Sequence, residues 1–394
     1  MDKTTAGMPC VLTINGGSSS IRFAIYSVPE KLSLQLDGKI DRIGLPGATF
    51  TANGARTSQP LKIADHGEAV AYLVDWLREQ PWIPSVKALG HRVVHGMKRH
   101  DPERVTPELL KDLRLITPYD PDHMPRELDL IEAFTKQWPD LPQVACFDTA
   151  FHRTMPDVAK RLPIPRRYGE MGIERYGFHG LSYSYLIEEL GRIDPIAAKG
   201  RVILAHLGNG ASLAAVLEGK SIDTSMGFTP TGGLVMSTRT GDLDPGLFYY
   251  LTKAESMTAP QFQKMVNHES GLLGISGTSS DMQDLLSKEK EDVRAAEAVN
   301  LFCFQAKKWI GSFAAALGGL DTLVFAGGIG ENSPAVRARI CAGLGFLGIE
   351  IRDSGNEANE AVISKGSGRV TVRVIRTDEE MMIARSVCRV LGLR

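Results

Sequence analysis

Arg92, Asp148, His179 and Arg239 are the residues of this chain whose types and settings could do chemistry on an anion. Arg92 sits among apolar neighbours in Leu89-Gly90-His91-Arg92-Val93-Val94. It reads either as a strand residue with a satisfied surface guanidinium or as a fork of donors aimed at carboxylate or phosphoryl oxygens, a geometry Lys cannot reproduce. Asp148 ends the apolar run Val144-Ala145-Cys146-Phe147, as a turn or cap residue or as a carboxylate that organises a metal or a polar partner. His179 and Arg239 each lie in segments bounded by glycines, Gly177-Phe178-His179-Gly180 and Ser237-Thr238-Arg239-Thr240-Gly241. A loop of that kind is an odd home for a core histidine. Glu379 sits in Thr377-Asp378-Glu379-Glu380, where Thr377 and Glu380 have capping-box spacing, so Glu379 also reads as an acid on a helix dipole.

Two glycine-rich turns with small hydroxyl and amide side chains accompany these groups. Asn15-Gly16-Gly17-Ser18-Ser19-Ser20 separates the apolar stretches 11–14 and 21–26, and Gly208-Asn209-Gly210-Ala211-Ser212 separates 202–207 and 213–217. Either alone is an ordinary hairpin turn. Glycine also lets backbone N–H groups converge on an anion, and Ser and Asn add short neutral donors. A third apolar strand, residues 323–326, runs into Gly327-Gly328-Ile329-Gly330-Glu331-Asn332-Ser333-Pro334, with Ser333 as a cap and Pro334 at the first position of the next helix. No Gly-x4-Gly-Lys-Ser/Thr signature is present, so three turns point to phosphate handling outside the P-loop class.

Elements must position these groups. Ile21, Phe23 and Ile25 alternate with Arg22 and Ala24, the period of a half-buried strand, so the first turn closes a hairpin. Helical spacing appears in Ala69, Val70, Leu73, Trp76 and Leu77, in Leu128, Ile131 and Phe134, and over residues 293–317. Strands and helices alternate, which is α/β organisation, and the recurrence of the hairpin near residues 11 and 201 predicts duplication. At 394 residues the chain suits two domains. A formal net charge of -1 with scattered Lys and Arg speaks against a nucleic-acid partner. Five dispersed cysteines suit a reducing, cytoplasmic setting. No basic segment with an apolar core opens the chain, and no apolar run reaches the roughly 18 residues of a membrane span.

In order, residues 15–20, 90–96, 147–152, 175–182, 206–212, 223–241, 327–333 and 377–380 match the motifs of the acetate kinase (acetokinase) family, and the chain resembles that family along nearly its whole length. The resemblance implies the acetate and sugar kinase, Hsp70 and actin architecture: α/β, with two duplicated ribonuclease-H-like domains and an active-site cleft between them. It implies residues 1–150 plus 380–394 as an acid-binding domain, residues 151–379 as a nucleotide-binding and dimerisation domain, and a homodimer. A phosphoryl donor must be closed off from water, which puts the hinge near the chain crossings at about 150 and 380, and the apolar helix around Phe302, Phe304 and Trp309 is a candidate dimer surface. The implied reaction is reversible transfer of the ATP γ-phosphoryl group to a small carboxylate, acetate first and propionate or butyrate next. A nucleotide-gated binding protein of the same fold is the reading from another class.

Carried over residue by residue, the resemblance gives Asn15 and Glu379 to magnesium, or manganese in its place. Arg92 and Arg239 fall to the acyl phosphate, with Asp148 and His179 completing the catalytic group. His206, Leu207, Gly208, Asn209 and Gly210 fall to the ATP phosphates. Asp281, Met282 and Gln283 with Gly328, Ile329, Gly330, Glu331 and Asn332 fall to the nucleoside, and Arg22 stands with the nucleotide group in place of a common Lys. Val94, Phe178 and Pro230 surround the acyl group. Leu181 and Tyr183 replace a usual Thr and His. Asp122, in Pro121-Asp122-His123, falls where an apolar residue lines the acyl pocket, so either it turns away toward an arginine or the acid preference differs. Met282 and Gln283 replace Phe and Arg, which bears on nucleobase preference.

Overall fold

The computed structural model describes residues 7–17, 19–44, 46–52 and 58–393, so Ser18 of the first turn and residues 1–6 lie outside the described residues. The chain divides into two compact units, Met1–Ala150 with Asp378–Arg394, and Phe151–Thr377. The return to the first unit begins at Asp378, ahead of the boundary expected at 380.

Unit one is built on β1 (Cys10–Gly16), β2 (Ser20–Ser27), β3 (Ser33–Asp41), β4 (Thr49–Ala52), β5 (Gln59–Pro60), β6 (Val86–Val93), β7 (Glu103–Arg104) and β8 (Gln143–Phe147). They lie in the order β5-β4-β3-β2-β1-β6-β8-β7, with β1 antiparallel to β2 and parallel to β6. Unit two is built on β9 (Arg201–Leu207), β10 (Ala211–Leu217), β11 (Lys220–Thr224), β12 (Thr322–Ala326) and β13 (Thr371–Val374), in the order β11-β10-β9-β12-β13. In each unit three antiparallel strands are followed by two parallel ones, so β3-β2-β1-β6-β8 and β11-β10-β9-β12-β13 share one topology. That is the duplicated α/β architecture the two hairpins predict.

Periodicity explains the packing. Ile21, Phe23 and Ile25 of β2 enter the core of unit one with Leu12 and Ile14, while Arg22 faces outward. Helix His66–Arg78, started by Asp65 accepting from the Glu68 N–H, buries Ala69, Val70, Leu73 and Leu77 against that core. Helix Met124–Gln137 buries Leu128, Ile131 and Phe134, and also one acid, Glu127. Helix Glu379–Leu391 packs on β1, β6 and β8. It comes so close that a Cβ on Gly90 would lie 2.4 Å from Cγ2 of Ile383 and 2.5 Å from Cγ2 of Val387. Its cap is Asp378, whose Oδ1 accepts from the Met381 N–H at 2.8 Å, and not Thr377. The Thr377 hydroxyl is engaged with Ser182 at 2.7 Å, which corrects the expected capping box.

In unit two, helix Gly180–Ile193 lays Tyr183, Leu186 and Leu190 on Val202, Leu204, Ala214 and Val216. Helix Val293–Ala316 buries Phe302, Ile310 and Phe313, whereas Phe304 is 56% exposed and Trp309 half-buried. The expected aromatic patch is therefore split: Phe302 belongs to the core. Gly327–Asn332 is a second departure, being a short helix directly after β12 where a glycine-rich turn was expected. Ser333 sits at the cap position of helix Pro334–Cys341 without a side-chain cap bond. Among the described residues no helix is long and apolar enough to cross a membrane.

Candidate functional site

Parallel pairing of β6 with β8 sets Arg92 opposite Cys146, one pair short of the strand end that Asp148 follows. Arg92 donates through Nη2 to Oδ2 of Asp148 at 2.8 Å and through Nη1 to the Gly16 carbonyl at 3.1 Å and Oε1 of Glu127 at 3.2 Å. The side chain is only 12% exposed, with Glu127 at 3% and Asp148 at 0%, so the surface reading of Arg92 fails. Burial opposes the guanidinium charge, but Asp148, Glu127 and Glu379 outweigh it and raise its pKa. Burial pushes the Glu127 carboxyl up, against the pull of Arg92 and of the Val94 N–H. That N–H donates to Oε2 of Glu127 at 2.7 Å, and Val94 itself is buried.

On the same unit, β1 delivers Asn15 to the start of the last helix. Its Nδ2 donates to Oε2 of Glu379 at 2.8 Å and Oε1 of Glu380 at 3.2 Å. Arg22, paired with Asn15 across the hairpin, is exposed. Burial and the Glu379 charge raise the Glu380 carboxyl, with Arg22 pulling the other way. Two neighbouring carboxylates and an amide oxygen are the hard oxygen donors magnesium takes. Among the described residues no cluster of three or more His, Cys, Asp or Glu could hold a metal by itself. Asp122 is half-buried; the buried carboxylate of its segment is Asp120, which accepts from the His123 N–H at 3.1 Å and lies 2.9 Å from its Nδ1.

Unit two gathers the histidines and the second arginine. His179 holds the cap position of helix Gly180–Ile193 with φ 59°, a left-handed conformation that costs a non-glycine residue about 1 to 2 kcal/mol. Its ring stacks on His206 at 4.2 Å between centroids. Nδ1 of His179 lies 2.8 Å from the Ser212 hydroxyl, which in turn meets the Tyr183 hydroxyl. His206 Nδ1 lies 2.8 Å from the Ser182 hydroxyl. The glycine turn approaches this group closely: a Cβ on Gly210 would stand 3.1 Å from Nε2 of His179 and 3.7 Å from Nη1 of Arg239. Arg239 donates to the Pro230 carbonyl at 3.2 Å, and the Asn209 carbonyl accepts from the Ser237 N–H at 3.1 Å, so the two loops are tied together. Leu207 is buried at the end of β9, and Phe178 is buried with its carbonyl 3.0 Å from Nε2 of His152.

The nucleoside candidates have structural duties as well. Asp281 caps helix Met282–Lys288 through the N–H groups of Gln283 and Asp284; Met282 is buried and Gln283 exposed. In helix Gly327–Asn332, which carries Gly328, Ile329 and Gly330, Oε1 of Glu331 accepts from the N–H of Gly327 and of Thr377, and Nδ2 of Asn332 donates to the Gly328 carbonyl. A Cβ on Gly208 would lie 3.9 Å from the Gly328 nitrogen, so the turn and this helix adjoin. Sequence reasoning missed Glu127, Tyr183 as a partner of Ser212, and Arg337. Arg337 is wholly buried and donates to the carbonyls of Gly330 and Glu331. An acid on the apolar stripe of Leu128, Ile131 and Phe134 was the available signal for Glu127.

Two sheet-centred units of one topology, one holding a buried arginine between carboxylates and the other a histidine–arginine group over a glycine turn, define a two-domain α/β phosphotransferase. The acetokinase family model matches residues 10–385. The chain belongs to the acetokinase family. It is 44% identical over 392 residues to a propionate kinase of Citrobacter rodentium, covering 96% of each chain. It is 43% identical to an acetate kinase of Rhodopseudomonas palustris, covering 96% of this chain and 98% of that one. The solved structure of Porphyromonas gingivalis acetate kinase superposes with a TM-score of 0.85 at 37% identity, covering 97% of this chain and 100% of that one.

Proposed function

We propose that this protein transfers the γ-phosphoryl group of ATP to acetate, reversibly, giving acetyl phosphate and ADP. The observation that carries the reading is Arg92, buried and held charged by Asp148 and Glu127 beside the buried Val94, in a chain of the acetokinase family.

Phosphoryl transfer asks for positioning and charge neutralisation more than for covalent chemistry. A carboxylate acceptor is already ionised at neutral pH, so no general base has to activate it. Arg92 binds the acid's carboxylate, and Asp148 holds the guanidinium in place. Arg239 and Nε2 of His179 donate to oxygens of the phosphoryl group as it moves, in line, between the two oxygens. The turn of His206 to Gly210 receives the nucleotide phosphates, and helix Gly327–Asn332 with Asp281 to Gln283 receives the nucleoside. Asn15, through its side-chain oxygen, and Glu379 would hold magnesium, which when bound adds positive charge to the phosphate oxygens. Val94, Phe178 and Pro230 meet the alkyl end.

Propionate is the second acid, favoured by the 44% identity to a propionate kinase. One methylene in an apolar pocket is worth about 1 to 3 kcal/mol, so both acids are expected to react at different rates. The five free cysteines, four of them buried, support a cytoplasmic setting. A homodimer is expected, with a sedimentation mass about twice 42.9 kDa; a monomer at micromolar concentration would refute it.

The test is hydroxylamine trapping of acyl phosphate from purified protein with Mg-ATP and acetate, propionate, butyrate or no acid. The highest kcat/KM is expected with acetate. A higher value with a longer acid would reassign the substrate, and nucleotide binding without acyl phosphate would point to a nucleotide-gated switch.

A further inference from the structure

We propose that Glu127 is a positioning residue that locks Arg92 and the Val94 backbone into one register, coupling the grip on the acid's charged end to the fit of its alkyl end. The inference rests on the acyl kinase reading and deepens it. Glu127 is reached from 35 residues along the chain, on a helix whose other buried positions are apolar, so a carboxylate there has to be held by polar partners. Its two oxygens divide the work: Oε1 accepts from Nη1 of Arg92 at 3.2 Å, and Oε2 accepts from the Val94 N–H at 2.7 Å. Both partners are donors, and only a carboxylate offers an acceptor to each; an amide would turn an NH2 group toward one of them.

Asp148 already neutralises Arg92 at 2.8 Å. A second carboxylate at 3% exposure is therefore superfluous for charge balance and costly in desolvation. What it adds is geometry. The same Nη1 also donates to the Gly16 carbonyl at the end of β1, so the guanidinium is fixed from three sides and its remaining donors keep one direction. Because Val94 hangs on the same carboxylate, a shift of the arginine and a shift of the pocket wall are no longer independent.

The experiment compares wild type, Glu127→Gln and Glu127→Asp in kcat and KM for acetate, propionate, butyrate and Mg-ATP, with thermal unfolding alongside. Glu127→Gln keeps the shape and spoils one of the two bonds. It is expected to raise KM for the acid about tenfold and to flatten the ranking of the three acids, with KM for ATP unchanged. Glu127→Asp keeps the charge but withdraws it by one methylene, and is expected to flatten the ranking as well; it decides the matter if the Gln variant does not fold. An unchanged ranking and acid KM in a folded variant would overturn the proposal. So would a fall in melting temperature with all kinetic constants intact. Failure of the wild type to make acyl phosphate would instead remove the functional reading on which it stands.

Discussion

At the scale of residues, the second unit holds a chain of side chains that can set the state of one imidazole. If the Tyr183 hydroxyl donates to Ser212 and Ser212 donates to Nδ1 of His179, the hydrogen of a neutral ring sits on Nε2, the atom beside Gly210 and near Arg239. Tyr183→Phe is then expected to lower kcat several-fold with little change in KM, since one hydrogen bond is worth about 1 kcal/mol; a kcat equal to wild type would show that Ser212 sets the ring alone. Arg239→Ala is expected to lower kcat by about 10² while KM for the acid moves little, as for removal of a donor used in the transition state. A variant that lost only acid affinity would move Arg239 to ground-state binding. Arg92, Asp148, His179 and Arg239 stood out as candidates because each interrupts an apolar or glycine-bounded stretch. Glu127 and Tyr183 were not, because their partners lie 35 and 29 residues away, and helix spacing alone says nothing about what crosses that distance.

Elements explain where sequence reading held and where it slipped. The two hairpins follow from alternation and turn composition, and both formed as expected at β1–β2 and β9–β10. Residues 327–332 read as a glycine-rich turn between strand and helix, and glycine disfavours helix by about 1 kcal/mol per residue. Tertiary bonds override that cost: Arg337 takes the carbonyls of Gly330 and Glu331, while Glu331 takes the N–H of Gly327. The expected capping box is absent: the Thr377 hydroxyl meets Ser182, and Asp378 caps the helix alone. Close packing of the last helix on β6 makes Gly90 a sharp probe. Gly90→Val is expected to destabilise the protein by about 1 to 3 kcal/mol through overpacking against Ile383 and Val387. A melting temperature equal to wild type would mean the helix can move aside freely.

For the whole molecule, one topology occurs twice, and the two copies carry different side chains at their candidate sites. Arg92, Asp148, Asn15 and Glu379 lie in the first unit, and His179, Arg239 and the glycine turn with its neighbouring helix lie in the second. A phosphoryl transfer between acid and nucleotide needs a group that binds the carboxylate and a group that binds the phosphates; under the proposed function Arg92 takes the first role and the glycine turn of His206 to Gly210 the second. The duplication was legible from the repeated hairpins, whereas the acid preference was not, because it depends on pocket dimensions set by side chains far apart in sequence. Synthesis of ATP from acetyl phosphate and Mg-ADP by the purified protein, followed by luminescence, tests the central claim most directly. Stoichiometric ATP that falls sharply in Arg92→Ala and Arg239→Ala is the predicted result; acetyl phosphate left intact, or lost as inorganic phosphate without ATP, would contradict it.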